Sequence, residues 1–357
     1  METYLQKLRK GLALSALESE CALLSLLNSA KDEEIKSFLL ALKAKGETPE
    51  EITGFVRGLK KAAHRISPNV SGKLVDVVGT GGDLYNTINV STAAAIITAA
   101  SGVPVAKHGN RAITSLSGSS DVLLALGIKV DPSPETVQKA IEEIGLGFLF
   151  APVFQPAMQR VASLRKELKT RTVFNILGPL SNPAGAKTQV IGVYEKKLCE
   201  PLAKVLRELG SEHALVVYGD GMDEISNVGE TFVAELKNGK IKTYLLTPEA
   251  LGFRRVKPEA IKGGTPKENA RDLLSIFKGM RGAKRDLVVI NAAAALYVGG
   301  SGSSIQQAVS IAEDAIESGK VMVKFNQFKS FFPLSEKQKA SFAKGRGVKE
   351  NPSALEA

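Results

Sequence analysis

From Leu74 onward, short apolar runs alternate with stretches of helical periodicity, and this alternation constrains the fold more than any other feature of the chain. Residues 74–78, 103–106, 147–151, 188–194 and 214–218 read as strands, while 89–101, 121–126, 134–144, 198–209 and 305–318 read as helices. Parallel strands need a long crossover, usually a helix, so the pattern predicts an α/β domain with a mostly parallel sheet. Residues 231–236 and 240–246 flank Asn238-Gly239, a hairpin signal. Before this region the chain is helical throughout. Leu14, Leu17, Cys21, Leu24 and Leu27 recur at helical spacing, as do Ile35, Phe38, Leu39 and Leu42. Thr48-Pro49-Glu50-Glu51 is a helix start, with Thr48 and Glu51 spaced as a capping box.

The expected organisation is therefore a small helical domain over 1–68, ending at Ile66-Ser67-Pro68, followed by a larger α/β domain over 69–333. Residues 156–180 have helical periodicity and could join either unit. Residues 334–357 form a polar, basic tail. No basic leader precedes an apolar run, and no stretch of about 18 apolar residues occurs, so no membrane association is expected. Cys21 and Cys199 have neither metal nor disulfide spacing, which suits a reducing cytoplasm. The net charge of +10 leaves nucleic acid, an acidic surface or phosphorylated substrates open as partners. Yet residues 71–150, which hold the best phosphate motifs, carry more acidic than basic side chains. Phosphate recognition should then rest on backbone N–H groups and a few placed cations, which argues against nucleic acid.

Four constellations carry chemistry. Gly79-Thr80-Gly81-Gly82-Asp83 follows a strand and precedes a helix opening at Asn89-Val90-Ser91-Thr92. Glycines there let the backbone approach an anion, and the helix N-terminus favours negative charge. The spacing is neither a Walker A loop nor a G-x-G-x-x-G fingerprint, so a plain glycine-rich turn is the competing reading. A second polar loop, Lys107-His108-Gly109-Asn110-Arg111 with Thr114, Ser115, Ser117, Ser119 and Ser120, should reach the same sheet edge. Asp223-Glu224, in a loop after the strand at 214–218, offers hard oxygen ligands for Mg²⁺ or is a solvated turn. Arg165, Lys166, Lys169 and Arg171 lie in one helical stretch and read as a solvated face, unless one arginine meets a substrate carboxylate. His64, on a helix, and His213, at a strand start, read as structural.

Taken together, the segments 76–83, 89–92, 107–111, 117–123, 171–180 and 223–226 resemble the anthranilate phosphoribosyltransferase family, and the similarity continues through 263–266 and 291–297. The resemblance covers about residues 1–325. It implies transfer of the phosphoribosyl group of 5-phosphoribosyl 1-diphosphate (PRPP) to anthranilate in tryptophan biosynthesis. It also implies two Mg²⁺ ions and a homodimer formed through the helical domains. Gly79, Gly82, Asp83, Thr87, Asn89, Val90, Ser91, Thr92, Lys107, Ser115 and Ser119 would hold PRPP. Gly79, His108, Asn110 and Arg165 would meet anthranilate, with Lys107, His108 and Arg165 as the catalytic set. Ser91, Asp223 and Glu224 would serve the metal. Three departures stand out: Gln155 where the family usually has histidine, Leu116-Ser117-Gly118-Ser119-Ser120-Asp121 in place of its usual loop, and the longer tail. A sister transferase or nucleoside phosphorylase with another acceptor, or a nucleic-acid-binding relative, is the alternative.

Overall fold

The computed structural model describes residues 1–82, 84–112, 116–336 and 338. Among them, seven strands form one sheet: β1 (Val75–Gly79), β2 (Val105–Gly109), β3 (Leu146–Phe150), β4 (Thr188–Gly192), β5 (His213–Tyr218), β6 (Thr231–Lys237) and β7 (Lys240–Leu246). Their order is β3-β2-β1-β4-β5-β6-β7. The first five run parallel, and β6 and β7 close one edge as an antiparallel hairpin. The hairpin turn is at Asn238-Gly239, both with positive φ (51° and 75°), as its two-residue loop requires.

The parallel strands are apolar because both faces are covered. Side chains alternate across the sheet, so Val77, Val190 and Leu215 enter one core while Val78, Ile191 and Val216 enter the other. The first core is filled by Val90–Ala100, Ala283–Val298, Ile305–Glu317 and Lys320–Phe331. The second is filled by Cys199–Glu208 and by the N-terminal helices Glu2–Arg9, Ala16–Asn28, Asp32–Lys45 and Pro49–Ala62. The Thr48 capping box forms in both directions: the Glu51 N–H donates to Thr48 Oγ1, and the Thr48 N–H donates to Glu51 Oε2.

The arm at 156–180 consists of a short turn at Pro156–Met158 and helices Gln159–Leu168 and Phe174–Leu180. Its Val161, Leu164, Phe174 and Leu177 share one core with Leu23, Phe38 and Phe55, so it packs back on the N-terminal helices. Three local expectations change. Strand β2 lies further along the chain than 103–106, and it takes in Lys107 and His108. His64 falls after its helix, which ends at Ala62. Arg165 and Lys166 are in one helix, but Lys169 caps it in the left-handed region (φ 47°) and Arg171 lies beyond. No helix among the described residues is long and apolar enough to cross a membrane.

Ala16–Asn28 and Pro49–Ala62 touch through backbone at Gly54, where a Cβ would collide with the Ala16 carbonyl oxygen. Gly54→Ala adds about 1 kcal/mol of helix propensity, but overpacking should dominate and leave the protein about 1–3 kcal/mol less stable. Chemical denaturation checks this; an unchanged or raised midpoint would refute the close packing.

Candidate active site

The chain leaves β1 for β2 and β3 on one side, then returns to β4 on the other. The crevice outside the carboxyl ends of β1 and β4 is therefore the topological switch point, where open α/β sheets bind ligands. Gly79 and Gly192, which end these strands, are register partners. Asp223, from the loop after β5, lies over both. A Cβ on Gly79 would strike its carboxylate, and one on Gly192 would strike its backbone carbonyl.

The glycine turn is held from several directions. The Gly81 N–H donates to Asp223 Oδ2 (2.7 Å), and the Thr80 N–H donates to Gly192 O (3.0 Å). The Tyr194 N–H donates to Thr80 Oγ1 (3.1 Å), and the Leu84 N–H donates to Gly221 O (3.0 Å). Gly81 and Gly82 have φ of 70° and 76°, a region in which a side chain is strained. From the arm, Arg171 Nη2 donates to Gly82 O (2.8 Å), while its guanidinium stacks 3.8 Å from the Tyr194 ring centroid.

Lys107 is buried on β2, with 3% of its surface exposed. Its ammonium donates to Val77 O (2.7 Å) and Ser91 Oγ (3.0 Å). An ammonium has three donors, and the third has no partner among the described residues. Burial pushes the group down to about 8, while Asp76, Glu224 and Asp223 pull it back up. Asp223 is itself driven above the usual carboxylate range by burial, against the opposing pull of the Gly81 N–H. A cation would relieve this cost. Two adjacent carboxylates, Asp223 and Glu224, form a hard oxygen set suited to Mg²⁺ that completes its shell with substrate oxygens and water. The Ser91 hydroxyl is a further oxygen beside Lys107. The residues present fit the metal.

Beside β2, Asp121 Oδ2 accepts from the Ala112 N–H (3.0 Å) and the Gly118 N–H (2.9 Å), folding the second polar loop. The loop is pinned to the first helix by Asn89, whose Nδ2 donates to Ser117 O and whose Oδ1 accepts from Asn269 Nδ2 (both 3.0 Å). Arg165, on the arm, is half-buried with its guanidinium 5.4 Å from the Phe174 ring centroid. Desolvation lowers it from the ordinary arginine value, and no carboxylate among the described residues pairs with it. An underhydrated, unpaired guanidinium is a receptor for a carboxylate.

A glycosyl transferase family model for the helical bundle domain matches residues 2–63, and the model of the same family's a/b domain matches residues 71–322. Anthranilate phosphoribosyltransferase of Methanosarcina barkeri is 70% identical over 339 residues, covering 95% of this chain and 93% of its own. The chain belongs to the anthranilate phosphoribosyltransferase family. Among solved structures, the family member from Thermus thermophilus superposes with a TM-score of 0.88 at 42% identity, covering 92% of this chain and 98% of that one. The Saccharomyces cerevisiae member, solved in complex with PRPP and Mg, gives 0.83 at 30% identity with the same coverages. It has also been solved with 4-fluoroanthranilate.

The family's expected site residues fall into three groups. Gly79, Gly82, Ser91, Lys107, Asp223 and Glu224 gather at or beside the switch point. Ser119 and Asn110 flank the second loop, where Ser119 Oγ donates to Asn110 O (3.1 Å). Thr87 pairs with Lys262 in an isolated bridge and donates its hydroxyl to Ile88 O (3.1 Å). Asp83 and Ser115 lie outside the described residues, as does nearly all of the tail. Three others, Val90, Thr92 and His108, have buried side chains. Val90 turns its side chain into the core and gives its N–H to Ile88 O (2.7 Å). The Thr92 hydroxyl is buried, with no hydrogen-bond partner among the described residues. The helix Val90–Ala100 packs on the sheet and under Ala283–Val298, so nearly all of its faces are covered and both side chains are buried. His108 is not a loop residue: it is buried on β2 with both ring nitrogens engaged, Nδ1 by Asp76 Oδ2 (2.6 Å) and Nε2 by Gly178 O (2.7 Å). Sequence reasoning missed Arg171 as a contact to the glycine turn and Asn89 as a structural pin. The helix-ending left-handed Lys169 is not encoded by a glycine, so nothing separated Arg171 from the basic stretch before it.

Lys107→Met removes a buried cation while keeping an apolar stem. It is expected to lower kcat/KM for PRPP by about 10²–10³, the range seen when one transition-state donor is lost, with the thermal midpoint unchanged or raised. Steady-state kinetics check this; a loss below threefold would remove Lys107 from the diphosphate site.

Proposed function

We infer that the chain transfers the phosphoribosyl group of PRPP to the amine of anthranilate, giving N-(5-phosphoribosyl)anthranilate and pyrophosphate, a step of tryptophan biosynthesis. The observation that carries this reading is Lys107, a buried ammonium beside a glycine turn and paired carboxylates at the switch point. In this reading the diphosphate sits against the Gly79–Gly82 backbone, the Ser91 hydroxyl and Lys107. Asp83, Thr87, Asn89, Ser115 and Ser119 complete the PRPP set. Asp223 and Glu224, with Ser91, hold Mg²⁺ as two ions, which supply positive charge to the diphosphate oxygens when bound.

The chemistry asks little of acids and bases. The bond from ribose C1′ to the diphosphate breaks as the amine nitrogen bonds to C1′, and the nitrogen then loses a proton. Negative charge grows on the departing pyrophosphate, which in this reading meets the desolvated Lys107 ammonium and backbone N–H groups of the turn. An aromatic amine is neutral at pH 7 and nucleophilic as bound, so positioning is the main requirement. Arg165 receives its carboxylate, and Asn110 lies alongside. Arg171 joins the arm to the glycine turn through Gly82 O, which gives closure of the helical unit a direct route to the diphosphate side and excludes water from a site where hydrolysis competes.

The unit that closes is residues 1–68 together with 156–180, set against the α/β unit over 69–333. Leu12 and Leu17 are exposed on the N-terminal helices and their connection, at 54% and 69%, and exposed leucines there are in keeping with a homodimer through the helical units. Cys21 and Cys199 are free thiols, in keeping with a reducing cytoplasm.

Mixing the protein with anthranilate, PRPP and Mg²⁺ is expected to quench anthranilate fluorescence and release pyrophosphate in equal amounts. No turnover beside an active control enzyme would overturn the assignment. Arg165→Ala should raise KM for anthranilate by about 10²-fold, consistent with loss of a charge-assisted bond worth up to about 3 kcal/mol, and leave KM for PRPP within threefold. Equal increases in both constants would contradict the carboxylate role.

A further inference from the structure

A continuous line of buried hydrogen bonds runs across the base of the arm. Gln155 Nε2 donates to Ser181 Oγ (2.8 Å) and, at 3.4 Å, to Ser181 O. Ser181 Oγ donates to Gly178 O (2.9 Å), and His108 Nε2 donates to the same carbonyl (2.7 Å). His108 Nδ1 meets Asp76 Oδ2 at 2.6 Å, and the His108 backbone N–H donates to Asp76 Oδ1 (3.3 Å). Gln155, Ser181, His108 and Asp76 are all buried, with Ser181 and Asp76 at 0% exposure. A carbonyl only accepts, so Nε2 is the donor to Gly178 O.

We propose that Gln155, Ser181 and His108 form a positioning clasp, which locks the entry and exit of the arm to each other and to β1 and β2 and so sets where Arg165 meets the acceptor carboxylate. The proposal rests on the reading of Arg165 given above. Gln155 precedes the arm, and Gly178 and Ser181 lie where it ends, so the clasp joins two points 26 residues apart. His108 sits two residues before Asn110 on the same strand end. Both acceptor-side groups, Asn110 just past β2 and Arg165 from the arm, are thereby referenced to one carbonyl, Gly178 O.

Two physical arguments support a positioning role over mere filling. Burying four polar side chains is costly unless every bond is made, and an apolar base would fold as well at lower cost. The arm is also a lever. Gln159–Leu168 has 10 residues, about 15 Å of helix at 1.5 Å per residue. A tilt of about 4° at its base moves the far end by about 1 Å, a misplacement that can cost on the order of 10²-fold in rate. None of the three touches reacting atoms in this account.

The test measures KM for anthranilate and for PRPP separately, with thermal unfolding, in Gln155→Leu, Ser181→Ala and the double variant. The clasp predicts KM for anthranilate raised about tenfold in each single variant and KM for PRPP within twofold. The double variant should be no worse than the poorer single one, because both remove the same link. Gln155→His, which retains an N–H donor, should recover to within threefold of the parent. Equal rises in both KM values, or a lowered unfolding midpoint with anthranilate KM unchanged, would overturn the clasp, as would multiplicative effects in the double variant. If Gln155→Leu fails to fold, Ser181→Ala alone decides on the same criteria. A normal anthranilate KM in Arg165→Ala would instead refute the Arg165 reading, whereas a raised one with unaffected clasp variants would refute the clasp alone.

Discussion

An ammonium group buried at the carboxyl edge of a sheet must be compensated, and the site is arranged around how Lys107 is compensated. Its two hydrogen bonds reach a carbonyl of the neighbouring strand and a hydroxyl at the start of the next helix. Three carboxylates, Asp76 on β1 and Asp223 and Glu224 in the loop after β5, favour its charge. Desolvation still outweighs them and lowers its proton affinity. A polyanionic ligand such as a diphosphate, brought with Mg²⁺, supplies what the protein leaves unbalanced: anionic oxygen for the lysine and a cation for Asp223.

Close approach is the second constraint. Gly79 and Gly192 leave room for Asp223 to lie across the ends of adjacent strands, and that placement brings the Asp223-Glu224 loop over the glycine turn. The Gly81 N–H bond to Asp223 Oδ2 ties donor and acceptor that would each serve a bound substrate differently, one the diphosphate and the other the metal. On the opposite side, the arm contributes Arg171 to the turn and Arg165 to the acceptor region. Its base is fixed by a buried polar line beside the apolar packing of Phe154, Leu177 and Leu180. The helical unit thus reaches both halves of the site through side chains of one segment.

Much of this was legible in sequence where the signal is local. The Thr48 capping box, the Asn238-Gly239 hairpin, the glycine turn between strand and helix, and the helical character of 156–180 all depend on neighbours within a few residues. Long-range features were not. Lys107 and His108 read as loop residues because charge and imidazole disfavour a buried strand, and the groups that make the burial tolerable are distant in sequence, among them Asp76, 32 residues from His108. Thr92 carries a hydroxyl suited to a phosphate site, but its helix is covered on nearly all sides and the hydroxyl is buried. Gln155 stood out as a departure from the family's pattern, yet its partner Ser181 has no local signature. The packing of the arm on the N-terminal helices followed from apolar spacing only as one of two options. The surplus of basic residues does not lie in residues 71–150, which hold the glycine turn and Lys107 and carry more acidic than basic side chains.

The central claim is that the diphosphate is received at the ends of β1 and β4 by the glycine turn and Lys107. A crystal structure of the protein with PRPP and Mg²⁺ tests it most directly. The account predicts diphosphate oxygens within hydrogen-bond distance of Lys107 Nζ and of backbone N–H groups in Gly79–Gly82, with Mg²⁺ on the Asp223-Glu224 side. A diphosphate bound elsewhere, with Lys107 still engaged only by Val77 O and Ser91 Oγ, would contradict it.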